Sequence, residues 1–186
     1  MKITFLGHAT LEIQINEYSI VVDPFISGNP SASQINLDDL KPDFILITHA
    51  HQDHTLDVEK LAKDNDSVIV SNFEIVNYFQ NRGFKGHPMN HGGKWNFDFG
   101  ELKYVNAIHT STFPDGSNGG QPGGFIITAN SKSVYIAGDT ALTYDMKLIP
   151  LHYKLDLAIL PIGDNFTMGY KDAIIASDFI KCDKDL

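Results

Sequence analysis

Short runs of apolar residues recur along the chain, with turn-forming residues between them. Three short strands joined by tight turns are favoured at Lys2 to Leu6, Leu11 to Ile15 and Ser19 to Val22, which are four or five residues long. Phe44 to Ile47 is continuously apolar, which is typical of a strand buried on both faces. The first part of the chain therefore predicts a sheet, and its buried strand at Phe44 to Ile47 leads directly into the histidine-rich segment that begins at His49.

The rest of the chain continues to alternate between strand and helix patterns. Helical spacing of apolar residues predicts three helices, and Gly83 is placed to end the second of them. These helices are Leu56 to Ala62, Phe73 to Phe79 and Asp172 to Ile180. Further strands are predicted at Ser67 to Val70, Trp95 to Phe99, Leu102 to Ile108, Gly124 to Thr128, Ser133 to Ala137 and Asp156 to Leu160. This alternation indicates an α/β layered fold, with two sheets and helices packed outside them.

Length and composition favour a soluble globular protein. The 186 residues, 42% hydrophobic and 20% charged, suit a single domain spanning residues 1–186. No apolar run approaches the roughly 20 residues that a membrane span requires, and the N-terminal residues lack the pattern of a signal peptide. With one cysteine, Cys182, the chain cannot form an internal disulfide. We therefore expect a cytoplasmic protein with no membrane association.

The net charge of −9 bears on the kind of partner. Nucleic-acid binding depends on a basic surface that displaces counterions from phosphates, so we expect no nucleic-acid partner. An anionic small substrate is still compatible with the charge, because bound divalent metals can dominate the local field.

The segment that follows the buried strand is rich in metal ligands. His49, His51, Asp53 and His54 fall within six residues, and imidazole and carboxylate are good ligands for zinc and related metals. Side chains two apart in an extended segment point to the same side, and a following turn can direct the next pair to a second metal. The carboxyl end of a strand is also where α/β folds place their sites. The alternative, a polar surface loop, explains single histidines better than this pattern.

Four other residues are candidates for the same site. His109 follows the predicted strand ending at Ile108, and Asp139 follows the one ending at Ala137. Asp139 has the properties of a bridging carboxylate, or of an ordinary turn or helix cap. Asp23 comes after a strand and is suited to orienting a ligand histidine, or to capping a turn. His8 lies at a turn and is a candidate pocket residue.

Two irregular stretches accompany these candidates. Pro24 to Asn36 follows Asp23, and the glycine-rich stretch Thr112 to Gly124 follows His109. Loops of this kind often border a site that a rigid scaffold positions, so substrate choice is expected to depend on them.

The order and spacing of these residues resemble the metallo-β-lactamase superfamily. The pattern consists of His49-x-His51-x-Asp53-His54, then His109, then Gly138-Asp139-Thr140. Its flanks look like a branch of small prokaryotic metal-dependent hydrolases related to L-ascorbate-6-phosphate lactonase. The flanking segments are Leu6 to Thr10, Val22 to Phe25, Leu160 to Gly163 and Phe166 to Gly169.

This resemblance implies a four-layer αββα sandwich and a centre with one or two divalent metals. It implies that His49, His51 and His109 hold a first metal, that Asp53 and His54 hold a second, and that Asp139 bridges the two. Zinc is the expected metal, with manganese, iron or nickel as alternatives. A metal-bound hydroxide would be the nucleophile, and Asp53 is expected to be catalytic by orienting that water or assisting proton transfer.

The chain departs from the superfamily at its C-terminal end. Members usually supply a further histidine to the second metal after a last strand, but no histidine follows His152 here. We expect either a truncated chain or a second site that lacks this ligand. A missing strand would leave an unpaired sheet edge, which is compatible with a homo-oligomer.

The leading hypothesis is a metal-dependent hydrolase acting on a small ester, lactone or phosphorylated metabolite. A phosphodiesterase or nuclease of the same superfamily is one alternative. A non-catalytic metal-binding protein with an incomplete second site is the other. The superfamily name describes a fold and a site and does not imply an antibiotic substrate.

Overall fold

Two β-sheets, each with helices packed against it, organise residues 1–182, which the computed structural model describes. The chain separates into two compact units. The first comprises residues 1–90 and 111–120, and the second comprises residues 91–110 together with those from 121 onward. No helix within the described part of the chain is long and apolar enough to cross a membrane.

The first unit contains a six-stranded mixed sheet in the order β1-β2-β3-β4-β5-β6. Its first three strands pair antiparallel through tight turns, and the pairs from β3 to β6 are parallel. The strands are β1 (Lys2–Gly7), β2 (Thr10–Ile15), β3 (Tyr18–Val22), β4 (Phe44–Leu46), β5 (Val68–Asn72) and β6 (Gly86–Met89). Because β3, β4 and β5 are parallel, the residues that follow them meet at one edge of this sheet.

Helices cover one face of this sheet. They are α1 (Gln52–Thr55), α2 (Val58–Asn65) and α3 (Phe73–Gln80), with 3₁₀ turns at Pro30–Ala32 and Leu37–Asp39. Val21, Ile45 and Ile69 of the strands form one buried cluster with apolar residues of α2 and α3. Ile45, Leu46 and Ile47 are all fully buried, so both faces of β4 are covered, as its continuous apolar run predicted.

The end of α3 shows how a local signal fixes the chain path. Gly83 adopts φ +89°, a conformation that glycine takes without steric cost. Its N–H donates to the carbonyl of Gln80 (2.9 Å), and the N–H of Phe84 donates to that of Phe79 (3.2 Å). These paired bonds form a Schellman end, so the prediction for Gly83 is confirmed.

The second unit contains a five-stranded sheet in the order β11-β10-β9-β8-β7. Its strands are β7 (Lys94–Phe97), β8 (Gly100–Asn106), β9 (Gly123–Ala129), β10 (Lys132–Ile136) and β11 (Leu157–Ile159). The helix α4 (Tyr170–Ile180) and a 3₁₀ helix at Tyr144–Leu151 pack on it, and Tyr135, Met146 and Ala176 belong to their shared buried cluster.

Three elements differ from the sequence expectation. β6 carries Pro88 and a glycine, which obscure a strand pattern, but it is the edge strand of its sheet, where a missing N–H is tolerated. The 3₁₀ helix at Tyr144–Leu151 contains Pro150 and has no clear helical stripe. The predicted helix at Leu56 is also displaced, because α1 ends at Thr55 and α2 begins at Val58.

The expectation that the chain lacks a last strand with a final ligand histidine concerns the residues after Cys182, which lie outside the described part of the chain. The single-domain organisation also stays a prediction.

Replacing Ile45 with alanine tests the importance of the buried strand β4. Ile45 is fully buried, so Ile45→Ala removes apolar contacts and leaves a cavity; we expect a loss of about 2–5 kcal/mol in the free energy of unfolding. Urea unfolding followed by circular dichroism measures this loss. Ile174→Ala is the matched control, because Ile174 is 59% exposed in α4. Equal stability of the two variants would contradict the assignment of Ile45 to the core.

Candidate metal centre

The motif residues lie where β4 gives way to α1. β4 ends at Leu46, and residues 47–51 form no regular element before α1; His51, at the start of α1, has the extended dihedral angles φ −62° and ψ 150°. The side chains of His49 and His51 meet here, and the Nε2 atom of His49 lies 3.0 Å from the Nδ1 atom of His51. The short helix then carries Asp53 and His54.

A buried carboxylate lies behind these residues. Asp23, directly after β3, is 1% exposed and adopts φ +46°, which is uncommon outside glycine. Its Oδ1 atom accepts a hydrogen bond from the N–H of Thr48 (2.8 Å), and its Oδ2 atom accepts one from the Thr48 hydroxyl (2.6 Å). The same Oδ2 atom lies 2.9 Å from the Nδ1 atom of His54. The Asp23 carboxylate thus binds the residue just before the motif, Thr48, and the last residue of the motif, His54.

These contacts assign the protons on two histidines. The Thr48 hydroxyl has one hydrogen, which it donates to Asp23, so at 3.0 Å its oxygen accepts from the Nδ1–H of His49. Asp23 likewise takes the Nδ1–H of His54. In both rings the lone pair is consequently on Nε2, the form in which imidazole binds a metal.

The Asp23 backbone is also secured. Its N–H donates to the carbonyl of Leu46 (3.0 Å), and its carbonyl accepts from the buried Thr10 hydroxyl (2.7 Å). The same hydroxyl oxygen accepts from the N–H of Phe25 at 3.0 Å. These bonds fix the turn after β3 and stabilise the positive φ of Asp23.

His8 lies beside the second half of the motif. It occupies the turn between β1 and β2 with φ +54°, and its Nε2 atom is 3.1 Å from the Oδ2 atom of Asp53. His8, Asp53 and His54 each offer one ligand atom, and these atoms lie within 4.8 Å of one another. The His8 hydrogen bond is the largest cause that lowers the pKa of Asp53 to about 2, while partial burial opposes it. The Asp53 carboxylate is thus ionised at neutral pH.

In the second unit, the structure brings His109 and Asp139 close together. His109 lies three residues past β8, and Asp139 follows Gly138, whose φ is +64°. The Nε2 atom of His109 and the Oδ2 atom of Asp139 are 3.8 Å apart, and both side chains are largely buried. Thr140 fixes this geometry, because its hydroxyl accepts from the N–H of Ile108 (3.0 Å) and donates to the carbonyl of Ala141 (2.8 Å).

Several positioning residues were not predicted from the motif. Thr48, Thr10 and Thr140 are fully buried and bond to site residues, yet a threonine beside a motif carries little signal by itself. Asp57 is buried and accepts from the N–H groups of Ile26 (2.6 Å) and Ser27 (3.0 Å) and from the Ser27 hydroxyl. It thereby holds the stretch after Asp23, and because the bonded residues are 30 and 31 positions away in sequence, no local signal pointed to it.

The donor chemistry of these residues fits a divalent metal. It consists of imidazole nitrogens, with lone pairs assigned to Nε2 in His49 and His54, and of carboxylate oxygens, which suit zinc, manganese, iron or nickel. Asp23 supplies the contact behind the ligands that usually fixes the tautomer of a metal-binding histidine.

Comparison with known proteins identifies the family. Residues 2–182 match the family model described as the β-lactamase superfamily domain. A "UPF0173 metal-dependent hydrolase" of Flavobacterium johnsoniae is 67% identical over 186 residues, covering 100% of this chain and 83% of that protein. One of Bacillus cereus (strain G9842) is 45% identical over 185 residues, covering 97% and 81%.

Solved structures agree with these matches. Igni18, a metallo hydrolase of Ignicoccus hospitalis, has a TM-score of 0.88 and 32% identity, covering 98% of this chain and 79% of that one. An isothiocyanate hydrolase from Delia radicum gut bacteria has a TM-score of 0.75 at 21% identity, covering 97% of this chain and 81% of that one. At this identity the similarity shows the fold alone.

The chain belongs to the metallo-β-lactamase superfamily. It is a metal-dependent hydrolase, and its predicted α/β layered fold is confirmed.

Removing the His8 imidazole should change the titration of Asp53. In His8→Ala we expect the pKa of Asp53 in the metal-free protein to rise from about 2 toward its ordinary value, because the largest cause of the depression is lost. Carboxyl ¹³C NMR titration measures this directly.

The same change should alter stability in acid. A carboxyl whose pKa is lower in the folded than in the unfolded state stabilises the fold above its ordinary pKa, and this stabilisation disappears as pH falls toward 2. His8→Ala should therefore flatten the stability profile over that interval, while the exposed control His152→Ala should not. An unchanged Asp53 titration in His8→Ala would contradict this cause.

Proposed function

We propose that this hydrolase uses a two-metal centre on a small ester, lactone or phosphorylated metabolite. In this proposal His49, His51 and His109 hold a first ion, Asp53 and His54 hold a second, and Asp139 bridges them. The observation that carries it is the buried Asp23 carboxylate, which assigns the Nε2 lone pairs of His49 and His54 together. The superfamily membership supports the same ligand set.

A bound divalent ion supplies Lewis acidity, which polarises a carbonyl or phosphoryl oxygen and makes water nucleophilic at neutral pH. Zinc is the proposed metal, and manganese, iron and nickel suit the same donors.

The chain's own residues do the remaining work. Asp23 and Thr48 orient two imidazoles before any substrate arrives, which spares reorganisation during the reaction. Asp53 is ionised at neutral pH and its carboxylate lies 3.1 Å from the His8 imidazole, so it is able to accept a hydrogen bond from the attacking water and fix its direction. We propose Asp53 as the catalytic carboxylate and His8 as the residue that keeps it in place.

The substrate class follows from charge and chemistry. A net charge of −9 disfavours a long polyanion, so we propose a small molecule and not a nucleic acid. With one cysteine, Cys182, the chain cannot form an internal disulfide, and we therefore also propose a cytoplasmic enzyme.

Metal analysis combined with hydrolysis assays tests this function. The purified protein should contain one or two divalent ions by inductively coupled plasma mass spectrometry and should hydrolyse members of a panel of lactones, esters and phosphodiesters. In His49→Ala we expect a loss of kcat/KM greater than the roughly 10- to 100-fold that outer-shell changes cost. The control is His152→Ala, which removes an exposed imidazole.

Each other outcome favours a different function. Metal binding without turnover across the panel would indicate a non-catalytic metal-binding protein. Salt-sensitive RNA binding with metal-dependent cleavage would indicate a nuclease. Absence of bound metal, with equal activity of His49→Ala and the unaltered protein, would overturn the proposal.

A further inference from the structure

The segment Ser111–Gly120 belongs to the first unit although it follows His109 in sequence. It closes on itself: the N–H of Phe113 donates to the carbonyl of Ser117 (2.9 Å), and the N–H of Gly119 donates to that of Ser111 (3.0 Å). Ser111 and Gly119 thus lie side by side at the base of a short loop.

The base of this loop packs directly on the metal motif. The N–H of Ala50, the residue between His49 and His51, donates to the hydroxyl oxygen of Ser111 at 3.1 Å. Ala50 is fully buried, and Ser111 is buried as well. A Cβ atom added at Gly119 would overlap both the Cβ atom of Ala50 and the Oγ atom of Ser111. Close packing at this point therefore requires glycine, for space and not for an unusual φ.

The loop base is anchored to the sheet and to α3. The buried Asn72 side chain donates to the carbonyl of Gly119 (2.7 Å) and accepts from the N–H of Ile75 (2.9 Å), so one amide joins the loop to the start of α3. The anchor lies at the end of β5, next to the strand that leads into the motif.

The tip of the loop, from Phe113 to Asp115, packs against α3 and the residues that follow it. The ring of Phe113 stacks on Tyr78 with centroids 3.6 Å apart, and the Tyr78 hydroxyl donates to Asp115 at 3.0 Å. The guanidinium of Arg82 lies over the Tyr78 ring and within 3.3 Å of Asp115. With both its base and its tip held, this part of the glycine-rich stretch is a fixed support.

We infer that Ser111 and Gly119 are positioning residues that set the separation of the His49 and His51 ligand atoms. The inference rests on the proposed function, in which both histidines hold the first ion. Metal–ligand distances tolerate deviations of only about 0.2 Å, and Ala50 is the single residue that joins the two histidines. Ser111 also follows His109, the third proposed ligand, by two residues.

Gly119→Ala in the full chain tests the inference. The added methyl group should displace Ala50 and weaken binding of the first Co²⁺ ion by roughly 10- to 100-fold, comparable to other outer-shell changes. It should also alter the visible absorption spectrum of the bound Co²⁺, which reports ligand geometry. The control is Gly163→Ala, where an added Cβ would meet only Thr167 at ordinary contact distance.

Removing the atoms that a methyl group at Gly119 would overlap distinguishes a positioning role from a general loss of folding. Ala50→Gly and Ser111→Ala together remove both side-chain atoms that a methyl group at Gly119 would overlap, so adding Gly119→Ala to this background should not weaken Co²⁺ binding further or alter the spectrum. Ser111→Ala deletes the acceptor of the Ala50 N–H without adding bulk. It should weaken binding by a smaller factor, and it keeps the test valid if Gly119→Ala does not fold.

Two results would overturn this inference while leaving the proposed function intact. One is unchanged Co²⁺ affinity and spectrum in both Gly119→Ala and Ser111→Ala, when the unaltered protein binds the ion. The other is a further loss of Co²⁺ affinity when Gly119→Ala is added to the Ala50→Gly, Ser111→Ala background, although that background itself binds the ion. If the unaltered protein bound no Co²⁺, the proposed function would fall, and the inference with it.

Discussion

The hydrogen bonds made by the Asp23 carboxylate are the constraint on which the rest of the site depends. Asp23 is buried after β3 and reaches both Thr48, just before the motif, and His54 at its end. A buried charge is costly unless it is fully hydrogen-bonded. The three donors at Asp23 therefore both offset that cost and orient the imidazoles. The positive φ of Asp23, secured by the Thr10 hydroxyl, is the local strain that makes this geometry possible.

The support around the motif has a common design. Several segments at or beside the proposed ligands are fixed through their backbone by a buried polar side chain from elsewhere in the same unit. Thr140 does this for the stretch before His109, and Asp57 does it for the stretch after Asp23. Ser111 does it between His49 and His51. Such contacts hold ligand atoms in place before a metal binds and reduce the free-energy cost of assembling the site.

Much of the fold and the motif could be predicted because their signals are local. The continuous apolar run Phe44 to Ile47 predicted β4, and the spacing of His49 to His54 predicted ligands on an extended segment followed by a turn. The supporting residues could not be predicted in the same way. Ser111 and Ala50 are 61 residues apart and Thr48 and Asp23 are 25 apart, so their pairing exists only once the strands are aligned. The edge strand β6 was missed because Pro88 masks its pattern.

Histidine tautomers in the metal-free protein test the central claim most directly. Long-range ¹H–¹⁵N NMR at alkaline pH, where free imidazole is neutral, distinguishes the two protonation sites of each ring. The account predicts that His49 and His54 both carry their proton on Nδ1, with shifts that depend on Asp23. Protonation of either ring on Nε2 would contradict the claim that Asp23 prepares these histidines to bind a metal.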